Sequence, residues 1–94
     1  MKYQHANKRI LLVSDDPSVR EALGEMLQAA DFNVLLAENG RSAESTLLAN
    51  PVSVIVLDFR TRFDTKDVVS RKSRTLAALT DVDPFLPLIL TCDA

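Results

Sequence analysis

A doubly wound parallel α/β sheet in three layers is the fold class that this sequence predicts. Three observations lead there: short aliphatic runs alternate with segments of helical periodicity, turn residues separate them, and the strongest of the runs ends on a carboxylate. That run is Val52-Ser53-Val54-Ile55-Val56-Leu57-Asp58. It is too short for a globular helix and too apolar for a strand with one wet face, so it reads as a strand covered on both sides. Asp58 then stands at its carboxyl end, where open parallel sheets bind ligands.

From the N-terminus, Arg9-Ile10-Leu11-Leu12-Val13 is a second buried strand, closed by Ser14-Asp15-Asp16-Pro17. Asp16 suits a helix N-cap, and Pro17 the first helical position, where a missing N–H costs nothing. Val19, Leu23, Met26 and Leu27 then recur at helical spacing through Ala30, which predicts an amphipathic helix against a sheet. Asp31-Phe32-Asn33 turns the chain into a weaker strand, Val34-Leu35-Leu36-Ala37. Glu38-Asn39-Gly40 is a turn in which Gly40 is free to take positive φ. Arg41 to Asn50 predicts a second helix with Ala43, Leu47 and Leu48 on its apolar stripe, ended by Asn50-Pro51.

Beyond Asp58, Phe59 to Lys66 is polar and irregular. Asp67 to about Thr80 carries Val68, Val69, Leu76, Ala77 and Leu79, which predicts a third helix with a basic middle. Asp81-Val82-Asp83-Pro84 breaks it, and Leu86-Pro87-Leu88-Ile89-Leu90-Thr91 is the last strand. A β-α-β-α-β-α-β order implies right-handed crossovers and helices on both faces. The strand ending at Val13 then lies beside the one ending at Asp58, with the switch point between them.

The chain has 94 residues, 47% hydrophobic and 26% charged, with a net charge of −2. These are the values of one ordinary globular domain, and they supply no electrostatic reason for direct nucleic acid contact or a membrane surface. Residues 1–8 read as a polar leader and 9–94 as the domain. No apolar run approaches a bilayer-spanning length, and Cys92 is the single cysteine, so no internal disulfide or zinc knuckle can be drawn. The expected location is cytoplasmic. His5, in the leader, has no neighbouring ligand-type residue and reads as inert. The basic residues from Arg60 to Arg74 are interleaved with acids and read as a solvated helix face.

The topology brings Asp15 and Asp16 beside Asp58. Two carboxylates about 4 to 5 Å apart repel by roughly 3 to 4 kcal/mol at an effective dielectric near 20, so such a cluster calls for a cation. Mg²⁺ is the natural one, since it takes hard oxygens, keeps several waters and bridges to phosphate. Taken singly, Asp16 is also explained as a helix cap, Asp15 as a solvated neighbour and Asp58 as a strand end. Nucleotide or flavin binding on this fold is a weak alternative, because no glycine-rich loop follows a strand and the chain has only two glycines.

Four segments together resemble the receiver domain of two-component response regulators. They are Arg9-Ile10-Leu11-Leu12-Val13-Ser14-Asp15-Asp16-Pro17-Ser18-Val19-Arg20-Glu21, Phe32-Asn33-Val34-Leu35-Leu36-Ala37-Glu38-Asn39-Gly40, Val54-Ile55-Val56-Leu57-Asp58 and Leu86-Pro87-Leu88-Ile89-Leu90-Thr91. The resemblance implies the flavodoxin-like receiver fold, here lacking the final helix-strand-helix. It also implies that Asp58 accepts a phosphoryl group from a histidine kinase or phosphotransfer protein. Asp15 then matches a Mg²⁺-holding acid, with Asp16 as the extra acid often seen next, and the backbone carbonyl of Arg60 falls where a third metal oxygen is supplied. Thr91 matches the hydroxyl that moves to hydrogen-bond the phosphoryl group. Such a domain is at most a self-phosphorylating and self-dephosphorylating phosphoacceptor, not a turnover enzyme.

The sequence departs from that pattern in three places. Ser14 occupies the first position of the usual acidic pair; Phe59-Arg60-Thr61-Arg62-Phe63-Asp64 replaces the usual Met-Pro loop; and the resemblance runs out at Ala94, before the family's lysine and switch aromatic. The spacing of Lys66 and Lys72 does not support either in the lysine's role. These departures define the alternative: a degenerate, non-phosphorylated receiver-like module acting through its surface or as a dimer. The Leu88-Ile89-Leu90 strand is expected at an open edge, which predicts a homo-oligomer through that edge.

Overall fold

The computed structural model describes residues 8–58 and 66–91, with 66–72 described by backbone alone. Strands β1 (Arg9–Val13), β2 (Asn33–Ala37), β3 (Val54–Asp58) and β4 (Leu88–Thr91) alternate with helices α1 (Pro17–Ala29), α2 (Gly40–Ala49) and α3 (Lys66–Val82). The strands form one parallel sheet in the order β2-β1-β3-β4. Every expected element is present, with ends shifted by a few residues. Arg60, and with it the expected metal carbonyl, lies outside the described residues, as do His5 and Cys92.

The two faces of the sheet are unequally covered. Alternate side chains of the central strands, Leu11 and Val13 of β1 with Ile55 and Leu57 of β3, pack with Ala37, Ala43, Leu47 and Leu79 into one buried cluster. Helices α2 and α3 supply its roof and touch one another. Burying one such leucine or isoleucine contributes about 1.5–3 kcal/mol, so this face carries most of the hydrophobic stabilisation.

Helix α1 lies on the opposite face, over β1 and β2. Gly24 is its buried residue, and a Cβ built there would stand 3.4 Å from Leu36 Cδ2. Two expected stripe residues are not buried: Met26 is 67% exposed and Leu48 of α2 is 69% exposed. Spacing reports which side chains share a face, not whether another element covers it; α1 itself covers the β1–β2 side and leaves Val54 and Val56 of β3 only half-buried. The expectation that β3 is sealed on both faces is thus met on the α2–α3 side and half met on the other.

Local chemistry sets the element ends. Asp16 Oδ1 accepts from the N–H groups of Ser18 at 3.0 Å and Val19 at 3.4 Å, with Pro17 following it, so the start of α1 is as expected. Asn39 and Ser42 form a capping box at the start of α2. Gly40, read as free to take positive φ, does not take it. It opens α2 instead, and a Cβ there would collide with the hydroxyl of Thr75 on α3, so the missing side chain permits the close approach of the two helices. After α3, Asp83 Oδ1 accepts from Phe85 N–H at 3.1 Å and turns the chain toward β4.

The end of α1 has the hydrogen bonds of a Schellman motif: Phe32 N–H to Leu27 O at 3.2 Å and Asp31 N–H to Gln28 O at 3.0 Å. Asp31 occupies the left-handed position, with φ 70°, that glycine usually fills. Asp31→Gly is therefore expected to raise the free energy of unfolding by about 0.5–1 kcal/mol in urea titration. An unchanged or lower midpoint would show that Asp31 carries a compensating interaction.

Candidate functional site

The site is built where β1 and β3 end side by side. Val13 pairs with Leu57, so the next residues, Ser14 and Asp58, are neighbours across the strands. Asp58 in turn pairs with Thr91 on β4. Parallel pairing thus delivers three polar side chains to one edge of a sheet whose neighbouring positions are aliphatic.

Asp58 is 4% exposed, and a carboxylate so buried requires partners. The Ser14 hydroxyl donates to Oδ2 at 2.8 Å, and the Thr91 hydroxyl donates to Oδ1 at 3.1 Å. Ser14 is also buried, at 1% exposure. Its Oγ accepts from Asp16 N–H at 3.2 Å, and its carbonyl accepts from an Arg20 guanidinium N–H at 2.8 Å. Among the described residues, no buried side-chain nitrogen or oxygen is left without a hydrogen-bond partner.

Above this carboxylate opens a cleft of about 470 Å³. Asp15, Ser14 and Asp58 line one part of it, and Glu38, Asn39, Gly40, Arg41, Arg74 and Thr75 another. Of the expected site residues, Asp15 and Asp58 border this space together, whereas Thr91 is not among its lining residues and is linked to it by its bond to Asp58. Asp16 is not among the lining residues, and its Oδ1 is engaged at the start of α1. No group of three His, Cys, Asp or Glu side chains is gathered as a cation site among the described residues. Two carboxylates on a shared cleft nevertheless fit Mg²⁺, which commonly takes one or two and keeps waters for the rest.

Several lining residues were not legible as site residues beforehand. In sequence Ser14 stands out only as a departure from an acidic pair, and its place directly after β1 becomes a signal once β1 and β3 are paired. Arg41, Arg74 and Thr75 carry no such signal, because the packing of α2 against α3 brings them to the cleft.

This arrangement of strands and helices recurs in known proteins. The receiver domain of HemR from Leptospira biflexa superimposes with a TM-score of 0.72 at 27% identity, over 90% of this chain and 64% of that one. TrrA, a response regulator of Thermotoga maritima solved with Mg²⁺ and a beryllium fluoride, gives 0.73 at 26% identity, over 90% and 69%. The chain has the fold of response-regulator receiver domains. TrrA also matches in its complex with the histidine kinase ThkA, with a TM-score of 0.70 at 26% identity over 88% of this chain and 66% of that one. A curated relative, the transcriptional regulatory protein AruR of Pseudomonas aeruginosa, is 40% identical over 57 residues, covering 55% of this chain and 23% of AruR. The chain therefore spans about two thirds of the solved chains and under a quarter of AruR. No family model matches it. No helix among the described residues is long and apolar enough to cross a membrane.

The geometry separates the roles of the adjacent acids. Replacing the Asp16 cap, Asp16→Ala, is expected to cost about 0.5–2 kcal/mol of stability, with Asp16→Ser recovering most of it. Mg²⁺ titration of Asp16→Ala should match wild type, and a large loss of Mg²⁺ response would instead make Asp16 a cation ligand.

Proposed function

We propose that this receiver is a phosphoacceptor and that Asp58 takes a phosphoryl group from the phosphohistidine of a histidine kinase or phosphotransfer protein. The observation that carries the reading is a buried carboxylate at a strand end, held between two hydroxyls at the floor of a cleft. TrrA's structures with a kinase and with Mg²⁺ and a beryllium fluoride support it by likeness. In the transfer, an Asp58 carboxylate oxygen forms a bond to phosphorus as the P–N bond to imidazole breaks, and the imidazole recovers a proton. Nothing is oxidised or reduced.

Positioning and charge neutralisation carry most of such a reaction. Asp15 and Asp58 are the residues that would hold Mg²⁺, which when bound neutralises charge on the transferring group. The Ser14 and Thr91 hydroxyls fix the plane of the Asp58 carboxylate, so attack needs no search among rotamers. Thr91 is placed to transfer its hydrogen bond from Oδ1 to a phosphoryl oxygen, which would couple the chemistry to β4. The cytoplasm, where histidine kinases expose their phosphohistidine, is the compartment this reading requires.

A specific observation favours a second reading as an interaction module. Strand β4 is bonded to β3 alone among the described strands, and its Ile89 and Leu90 are 54% and 42% exposed. Apolar edges of this kind invite another strand.

Incubation with Mg²⁺ and a small acyl phosphate should add one phosphoryl mass to wild type and none to Asp58→Asn. Absence of any adduct, also with beryllium fluoride, would leave the interaction module alone. Sedimentation velocity at micromolar concentration is expected to show a dimer that Ile89→Lys disperses, and a monomer in wild type would remove the edge-pairing idea.

A further inference from the structure

Resting on the phosphoacceptor reading, we propose that Ser14 is a positioning residue that holds the Asp58 carboxylate where a cation otherwise would, and so sets a weak affinity of the cleft for Mg²⁺. Each polar group of Ser14 is engaged. Its N–H donates to Ala37 O at 3.0 Å on β2, its carbonyl accepts from Arg20 at 2.8 Å, and its Oγ accepts from Asp16 N–H at 3.2 Å. Those bonds fix the backbone and one side of the hydroxyl, and they leave its proton directed at Asp58 Oδ2, 2.8 Å away. The other oxygen in reach of the hydroxyl, Asp16 O, lies at 3.4 Å and is the poorer acceptor.

A hydroxyl-to-carboxylate bond in a buried site is among the stronger hydrogen bonds, and it costs no reorganisation because the donor is already in place. With Thr91 on Oδ1, both oxygens of Asp58 carry a fixed donor. A divalent cation approaching Oδ2 competes with the Ser14 proton for electron density, and it meets a neutral oxygen at Ser14 where another carboxylate would have added charge. The price of a pre-aligned nucleophile is therefore a cation site that fills only at high Mg²⁺.

The test is Mg²⁺ titration by calorimetry on the whole chain, read beside circular dichroism of each variant. Ser14→Ala removes the competing proton and is expected to lower the half-saturating Mg²⁺ concentration about tenfold. Ser14→Thr keeps the hydroxyl and should titrate as wild type, Ser14→Asp should bind at least as tightly as Ser14→Ala, and Asp58→Asn should abolish the response. An unchanged or higher midpoint for Ser14→Ala, or no Mg²⁺ response in any variant, overturns the proposal. Should Ser14→Ala not fold, equal midpoints for Ser14→Thr and Ser14→Asp overturn it, and a tighter Ser14→Asp supports it. The beryllium fluoride adduct distinguishes the two failures. An adduct on Asp58 with an unmoved Ser14→Ala midpoint sinks the role of Ser14 alone, whereas a moved midpoint without any adduct sinks the phosphoacceptor reading and leaves the role of Ser14 in cation affinity standing.

Discussion

The constraint on which the site depends is the parallel pairing of β3 with β1 on one side and β4 on the other. Because Val13 faces Leu57 and Asp58 faces Thr91, one charged side chain is carried to the sheet edge with a hydroxyl on each flank. An isolated buried carboxylate would cost several kcal/mol or give up its charge. Here the neighbouring strand ends supply its partners, so the same ladder that builds the core also makes the acid tolerable. Cleft, buried carboxylate and core share one scaffold.

That scaffold is asymmetric. On the α2–α3 side, small residues at the contact points, Gly40 and Ala43, let two helices lie close together over Leu11, Ile55 and Leu57. The cleft opens between this helix pair and the strand ends, which explains why Asn39, Gly40, Arg74 and Thr75 border it although none lies near Asp58 in the chain. On the α1 side, a single helix spans only β1 and β2, and Leu36 and Ile89 keep about half their surface in water. One face thus carries the packed core, and the other leaves apolar surface in water.

Ser14 and Asp16 show how one short connection serves both functions. Between Val13 and Pro17, the chain must leave a buried strand and start a helix, and its polar groups must be satisfied within a few residues. Asp16 satisfies the helix N–H groups, while its own N–H bonds to the Ser14 hydroxyl, which orients that hydroxyl toward Asp58. The cap of α1 and the setting of the Asp58 carboxylate are one hydrogen-bonded chain.

Strands, helices, their order and the candidate nucleophile could be read from local pattern, because aliphatic runs, helical spacing, Asp16-Pro17 and the terminal Asp58 are signals carried within a few residues. The same local reading placed Met26 and Leu48 on buried stripes, and it assigned Gly40 a backbone role where a steric one operates, since spacing reports which face a residue shares but not whether anything covers that face. It also grouped Asp15, Asp16 and Asp58 by charge. In three dimensions Asp16 caps its helix, Asp15 and Asp58 border one cleft, and Ser14 donates a hydrogen bond to Asp58. Periodicity and end residues are properties of a segment and survive in one dimension; hydrogen bonds between residues 44 positions apart depend on strand register and helix packing, which come into being only when the chain has folded.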